Sequence, residues 1–221
     1  MFDDRQIVTV DIVLLTIVEG RLAVGLIERE RAPFENRLAL IGGYVHADKD
    51  ADTNATAQRV LSNKTGLAGF HAEQLATFSG PSRDPRGWSI SVAYLALTPF
   101  APLREAMGAS SPVRLVPTDS VGDLPFDHTA ILSSALERLR SKGAYSTLPA
   151  QLLSETFTLS ELQEAYRVAL DVPRIDKSSF RRKLTELGLV EPSEGKRTDT
   201  GGRQAQLYRL KAEVSTFGRR I

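Results

Sequence analysis

The sequence predicts an α+β chain of two unequal parts, and three observations lead there. A β-branched, apolar run at residues 7–18 (IVTVDIVLLTIV) breaks at Glu19-Gly20-Arg21 and returns as LAVGLIERE, which reads as a hairpin. One helical segment at 53–64 lies enclosed between strand-like stretches, as a mixed sheet with a covering helix requires. From residue 149 onward the order changes to helix, turn, helix and a basic-tipped hairpin, the order of a winged helix-turn-helix.

The elements follow in sequence. After the hairpin, RAPFENR is a loop and LALIGGYV a short strand ending in a glycine pair. TNATAQRVLSNK places Ala57, Val60 and Leu61 on one helical face, and Gly66 supplies the stop. The turn-rich SGPSRDPRG precedes the alternating strand WSISVAYLAL, in which Trp88 reads as a core residue. MGASSPVRLVPTDSVGDLP is loop with one short strand. Asp127 then caps the helix HTAILSSALERLRSK, whose Ile131, Leu132, Ala135, Leu136 and Leu139 keep helical period, and His128 reads as a helix-start residue. These elements make a first domain of residues 1–148.

In residues 149–221, Thr158-Leu-Ser-Glu161 has the spacing of a capping box and opens LSELQEAYRVAL. Pro173 breaks the chain, Asp176 caps KSSFRRKLTEL, and Gly188 ends it. LVEPS and AQLYRLK form the hairpin around the tip EGKRTDTGGRQ.

Composition excludes several functions. Among 221 residues there are no cysteines, which removes disulfides, thiolate catalysis and thiolate zinc sites. The three histidines, His46, His71 and His128, do not have the spacing of a metal pair, so no metal site is expected. The N-terminus is acidic before its apolar run, unlike a secretory leader, and no apolar stretch approaches membrane length, so a soluble cytoplasmic protein is expected. The net charge of +1 hides a division: 10 basic against 5 acidic residues between Arg174 and Lys211, the footprint of a nucleic-acid surface.

On a wheel at 100° per residue, Phe180, Leu184 and Leu187 face the core. Ser178, Arg182 and Thr185 lie opposite, flanked by Ser179 and Arg181. Such side chains reach base edges and phosphates, and Lys196, Arg197 and Arg203 add a second basic surface at the hairpin tip. A solvated charged helix face is the bland reading of Arg181-Arg182-Lys183; two adjacent basic surfaces favour double-stranded DNA as the partner.

The stretch GGYVHADKDADTNATAQRVLSNKTGL resembles the Nudix signature, anchored on Gly66-Leu67, Leu61 and Arg59, with Gly43 as its opening glycine and two extra loop residues. In Nudix hydrolases glutamates of this helix hold Mg²⁺, which takes oxygen ligands. Here those positions are Val60, Asn63 and Lys64, so no catalytic residue is expected. Asp48, Asp50 and Asp52 read as solvated acids that cap the helix, against the alternative that they recruit a metal. Arg83 and Arg86 have the fork that matches a pyrophosphate, against the alternative of exposed turn residues. Gly42 and Gly43 permit close backbone approach to a ligand, or merely shape a strand exit.

The degenerate signature followed by FDHTAIL, FTLSELQ, SFRRKL and KRTDTGGRQAQLYRL resembles, over nearly the whole chain, the Nudix-related transcriptional regulators of NAD metabolism. The resemblance implies a Nudix-like α/β/α sandwich with a mixed sheet joined to a C-terminal winged helix. It implies a homodimer on a palindromic operator, with ADP-ribose as effector and no required cofactor. It also implies effector contacts near Arg83, Asp84 and Arg86 and DNA contacts from SFRRKL and KRTDTGGR. Ile41 stands where the family carries a proline before the glycine pair. The competing expectations are a divergent Nudix hydrolase of ADP-ribose-type dinucleotides, a regulator of sugar utilisation with the same architecture, and a winged helix that binds protein.

Overall fold

A computed structural model describes residues 6–68, 70–109, 111–198, 204–212 and 214–218. Six strands form one sheet: β1 (Ile7–Val18), β2 (Arg21–Glu28), β3 (Leu38–Tyr44), β4 (His71–Gly80), β5 (Ser89–Leu97) and β6 (Val113–Pro117), in the order β4-β5-β1-β3-β2-β6. The long strand β1 organises it. Thr9–Ile12 pair antiparallel with β3, Leu14–Val18 pair antiparallel with β2, and Ile7–Leu15 run parallel to β5. Glu19 (φ 50) and Gly20 (φ 74) are both left-handed, the conformation a two-residue hairpin turn demands.

Alternation along β1 separates two cores. Val13 and Leu15 pack with Ile131, Leu132, Ala135 and Leu139 of α3 (His128–Gly143). Val10, Ile12 and Leu14 pack with Ala57, Val60 and Leu61 of α1 (Thr53–Thr65) and with Leu103 of α2 (Phe100–Met107). The sheet thus lies between helical layers, the α/β/α sandwich expected. Asp52 caps α1 through Ala55 N–H, and the left-handed Gly66 ends it.

The expectations missed β4 and α2. In β4 only Leu75 is buried, and an irregularity between Gln74 and Ala76 breaks the two-residue period. The eight-residue α2 carries Pro102, lacks a capping side chain and buries Leu103 alone. Trp88 is exposed just before β5 rather than in the core.

The second unit comprises α4 (Leu159–Ala169), α5 (Lys177–Leu187) and the hairpin β7 (Val190–Thr198) with β8 (Gln204–Leu210). The capping box forms as read, and Asp176 accepts from Ser179 N–H at the start of α5. Phe157, Leu162, Tyr166, Phe180 and Leu184 make the core, with Tyr166 and Phe180 edge to face at 5.2 Å. Leu187 departs from the helical wheel: it is exposed. The left-handed Gly188 turns the chain, so that Leu189 packs on this core instead.

The two units share buried contacts. Leu148, Leu152 and Ala169 belong to the same core as α3 and the sheet. Tyr166 Oη donates to Ser146 O at 2.7 Å, Arg140 meets Asp171 at 2.7 Å, and Arg167 donates to Gly20 O. After β8 the chain returns to the segment joining the units. Thr147 N–H bonds Ser215 O, Ser215 N–H bonds Thr147 Oγ1, and Phe217 N–H bonds Tyr145 O. Among the described residues no helix is long and apolar enough to cross a membrane.

Glu73 braces β4 to α3. It meets Arg138 Nη1 at 3.2 Å and Lys142, with His71 alongside. Hydrogen bonding to His71, then to Lys142 and Arg138, outweighs burial and brings its carboxyl down to about 2 from 4.5. A depressed carboxylate stabilises the fold above its unfolded pKa, and that contribution is lost as pH falls from 4.5 towards 2. After discounting for solvent screening it amounts to about 1–2 kcal/mol. Urea titrations across this window should therefore show a shallower acid loss of stability in Glu73→Gln than in the parent chain.

Candidate functional site

At the N-terminal end of α3, on the face of the sheet opposite α1, opens a cavity of about 370 Å³, within the range of small-molecule sites. Its floor is Thr9 and Asp11 of β1 with Leu40 and Gly42 of β3; Asp11 and Gly42 are register partners. Asp11 is buried inside an otherwise apolar run and is fully engaged. Ser91 Oγ donates to it at 2.6 Å, Arg83 Nη2 lies at 3.3 Å and His128 Nε2 at 3.4 Å. Burial opposes its ionisation, but His128, Ser91 and Arg83 together hold its carboxyl below the usual range.

His128 is indeed the first residue of α3, and it is also a buried part of this network. Leu40 N–H donates to Nδ1 at 3.1 Å, which leaves the ring proton on Nε2, facing Asp11.

Arg83 is neither an exposed turn residue nor a free anion receptor. Its side chain is 8% exposed, and Asp127 chelates it at 2.9 and 2.8 Å while Nη1 reaches Ser89 Oγ at 3.2 Å. For the same reason Asp127 does not cap α3 through its side chain. It occupies the N-cap position, but both carboxylate oxygens serve Arg83.

Arg86 is held differently. Buried Asp84 accepts from its backbone N–H, Nε and Nη2, at 2.9, 3.0 and 2.6 Å, and the guanidinium also meets Tyr44 Oη. The fork is fixed by one edge while its side chain stays 38% exposed. Burial works against the charge on Asp84, and the bonds from Arg86 overcome it.

Three aromatic rings and another arginine complete the cavity region. Arg29 stacks over Phe126 at 4.7 Å, Arg86 lies 6.0 Å from the same ring and 5.8 Å from Tyr44, and Phe34 meets Phe126 edge-on at 4.8 Å. Among the described residues no carboxylate lies within ion-pair distance of Arg29; its guanidinium donates to the Pro33 and Arg31 carbonyls. Burial first, then neighbouring Arg86, makes its charge less favourable than usual, a situation a bound anion would relieve. Sequence reasoning missed Asp11, Arg29, Phe34, Tyr44 and Phe126. A signal existed only for Asp11, a lone carboxylate in a buried strand.

The glycine pair serves the protein's own packing. A Cβ on Gly42 would stand 2.5 Å from Asp11 Oδ1 and 2.9 Å from Val10 O, and one on Gly43 would stand 2.7 Å from Val60 Cγ2. The cavity wall contains no side chain of α1. Val60 packs apolar beneath Gly43, Asn63 is exposed, and Lys64 brings a cation. A hydrocarbon, a neutral amide and an ammonium do not fit the Mg²⁺ that the Nudix fold otherwise carries. The loop acids are not simply solvated. Asp52 caps α1, whereas Asp50 takes Arg59 at 2.7 and 2.6 Å, Thr56 Oγ1 at 2.9 Å and His46 N–H at 2.9 Å. Arg59 foremost holds the Asp50 carboxyl far below its usual range.

A second surface lies on α5. Ser178, Ser179, Arg181, Arg182 and Thr185 are all exposed, while Phe180 and Leu184 are buried beneath them. Arg182 has only a long contact to Glu186, at 3.7 Å. On β7, Lys196 and Arg197 are exposed; Arg197 reaches back to Glu161 at 2.8 Å and Thr156 O at 3.2 Å. Arg203 lies outside the described residues.

Comparison with known proteins addresses both surfaces. The family model of the NrtR DNA-binding winged helix domain matches residues 149–210. The chain is 37% identical over 213 residues to the ADPR responsive transcriptional repressor NtrR of Acinetobacter baylyi, covering 96% of this chain and 84% of that protein. Shewanella oneidensis NrtR, solved with a 27mer DNA, is similar at TM-score 0.90 and 38% identity, over 98% of this chain and 100% of that one. The NUDIX domain of the same protein, solved with ADP ribose, is similar at TM-score 0.56 and 36% identity, over 62% of this chain and 90% of that one.

The contact beneath Gly42 yields a stability prediction. Gly42→Ala forces either Asp11 or the Val10 carbonyl to move, and overpacking of this kind costs about 1–3 kcal/mol. Urea denaturation at neutral pH should show a midpoint lowered accordingly.

Proposed function

The chain belongs to the NrtR family of Nudix-related transcriptional regulators, and from that premise we propose that it represses genes of NAD synthesis or salvage and leaves its operator when ADP-ribose fills the sensor cavity. In this reading residues 1–148 sense and residues 149–221 read DNA. The observation that carries it is α5, a helix buried on one face and polar and basic on the other, in a unit docked against the domain that holds a cation-rich cavity.

ADP-ribose offers a diphosphate and a planar base. Arg86, aimed by Asp84, and Arg29, which lacks a carboxylate partner among the described residues, supply the cations for the diphosphate. Phe126, with Tyr44 and Phe34 beside it, supplies ring faces for the base. Gly42 keeps the floor low, Gly43 fits the strand against Val60, and Arg83 holds Asp11 and Asp127 in place while the cavity is empty. With Val60, Asn63 and Lys64 at the acid positions, the cavity binds without hydrolysing, and binding requires no divalent ion.

On DNA, Arg181 and Arg182 with Ser178, Ser179 and Thr185 enter the major groove, while Lys196, Arg197 and Arg203 of the wing meet phosphates. Two copies about a two-fold axis read a palindrome.

Fluorescence anisotropy with duplexes from the chain's own upstream region tests this directly. Binding should weaken steeply with salt and reverse on adding ADP-ribose in EDTA as well as in Mg²⁺. Arg182→Ala should lose about 1–3 kcal/mol of operator affinity with ADP-ribose affinity unchanged. Arg86→Ala should lose ADP-ribose and keep DNA. Steady release of AMP from ADP-ribose with Mg²⁺ would overturn the non-catalytic part of the reading.

A further inference from the structure

Three consecutive residues join the cavity to the start of α3, each by a different interaction. Phe126 sits at φ 58, an uncommon conformation for a bulky side chain, with its ring near Arg29 and Arg86. Asp127 holds the N-cap position yet gives both oxygens to Arg83. His128 is pinned to Leu40 N–H and faces Asp11.

An N-cap aspartate ordinarily accepts a backbone N–H two or three residues ahead, and a negative charge there also suits the helix dipole. Asp127 therefore stands at the N-cap position with both oxygens turned to Arg83 and neither to the first turn of α3. Its side chain is 22% exposed, so the pairing with Arg83 is open to competition.

The other end of α3 belongs to the reader. The helix spans 16 residues, about 24 Å. Near its C-terminus Arg140 pairs with Asp171, and Leu139 shares a core with Leu148, Leu152 and Ala169. Lys142 O accepts from Ser146 Oγ, whose residue in turn accepts from Tyr166 of α4.

We propose that Asp127 is the positioning residue that couples the cavity to the winged helix: an anion that draws Arg83 away frees Asp127 to cap α3, and the helix carries the change to the reader. The proposal rests on the reading of the cavity as an ADP-ribose site. It assigns Arg83 a role distinct from that of Arg86: Arg86 sets affinity, and Arg83 reports occupancy. The first turn of α3 is the two-state element, biased one way by an empty cavity and the other way by an anion.

The test is a linkage measurement on the full chain. ADP-ribose affinity is measured by calorimetry with and without saturating operator duplex, for the parent chain, Asp127→Asn and Asp127→Ala. The ratio of the two affinities is the coupling factor, about 5–150 for an effective switch. Asparagine caps a helix as well as aspartate does but makes no ion pair with Arg83. Asp127→Asn should therefore bind operator more weakly even without ADP-ribose and show a coupling factor within about twofold of one. Asp127→Ala, which can neither cap nor pair, should also lose coupling, but without the prior loss of operator affinity. That divergence between the two variants is something a merely structural role would not produce. Melting temperatures confirm that each variant is folded, and Asp127→Asn alone decides the matter if the alanine variant is not. A parental coupling factor retained in Asp127→Asn overturns the proposal. A factor of one in the parent chain overturns the ADP-ribose switch itself, and the coupling role with it.

Discussion

A single carboxylate, Asp11, buried at the middle of β1, constrains much of what surrounds the cavity. A charge in that position is tolerable only if its oxygens are satisfied, and here Ser91, Arg83 and His128 satisfy them. Each partner brings its own requirement. His128 must lie at the head of α3 with Leu40 N–H behind it, and Arg83 must leave the β4–β5 connection and settle between Asp11 and Asp127. Gly42 must lack a side chain, because Asp11 occupies the space a Cβ would take. The identities of residues on β1, β3, β5 and α3 and in one loop thus follow from one buried charge.

The same region differs from a Nudix hydrolase site in what its signature helix carries. Catalysis in this fold needs carboxylates brought to the cavity on the signature helix. Val60 instead closes against Gly43 and joins the apolar core with Ile12, Leu14 and Leu61. The arginine of the signature is retained, but it is bound to Asp50 and the Tyr44 carbonyl, where it shapes the loop before α1. The signature's arginine is thus kept while Val60, Asn63 and Lys64 stand at its acid positions. What the cavity presents is a concave surface with arginines and aromatic rings.

Much of this was legible in the sequence where local chemistry decides. The Glu19-Gly20 turn, the Asp52 and Asp176 caps, the Thr158–Glu161 capping box and the stops at Gly66 and Gly188 all formed as read. Illegible features were those decided by tertiary neighbours. β4 is an edge strand with one buried side chain and a broken period, and α2 is short and uncapped, so neither announces itself. Arg83 and Arg86 stand three residues apart in one loop and read alike, yet one is enclosed by two aspartates and the other keeps an open face. Phe34 and Phe126 lie in separate loops, and nothing local predicts that their rings meet. Asp127 was read correctly as the residue before the helix and wrongly as its cap, because its partner lies 44 positions away.

The return of the chain after β8 also bears on the mechanics of the reader. Residues 145–147 lead into the winged helix and residues 215–217 lead out, and the two segments are hydrogen-bonded side by side. The covalent entrance to the unit and the segment that follows its last strand are therefore tied into one narrow seam. A unit tied at that seam, and also held by Arg140–Asp171 and Arg167–Gly20, tilts only when those outer contacts give way. Such a tilt moves α5 together with the core that holds it. A modest rearrangement at the end of α3 therefore reaches the exposed polar and basic face of α5 as a change of its angle to the sheet domain.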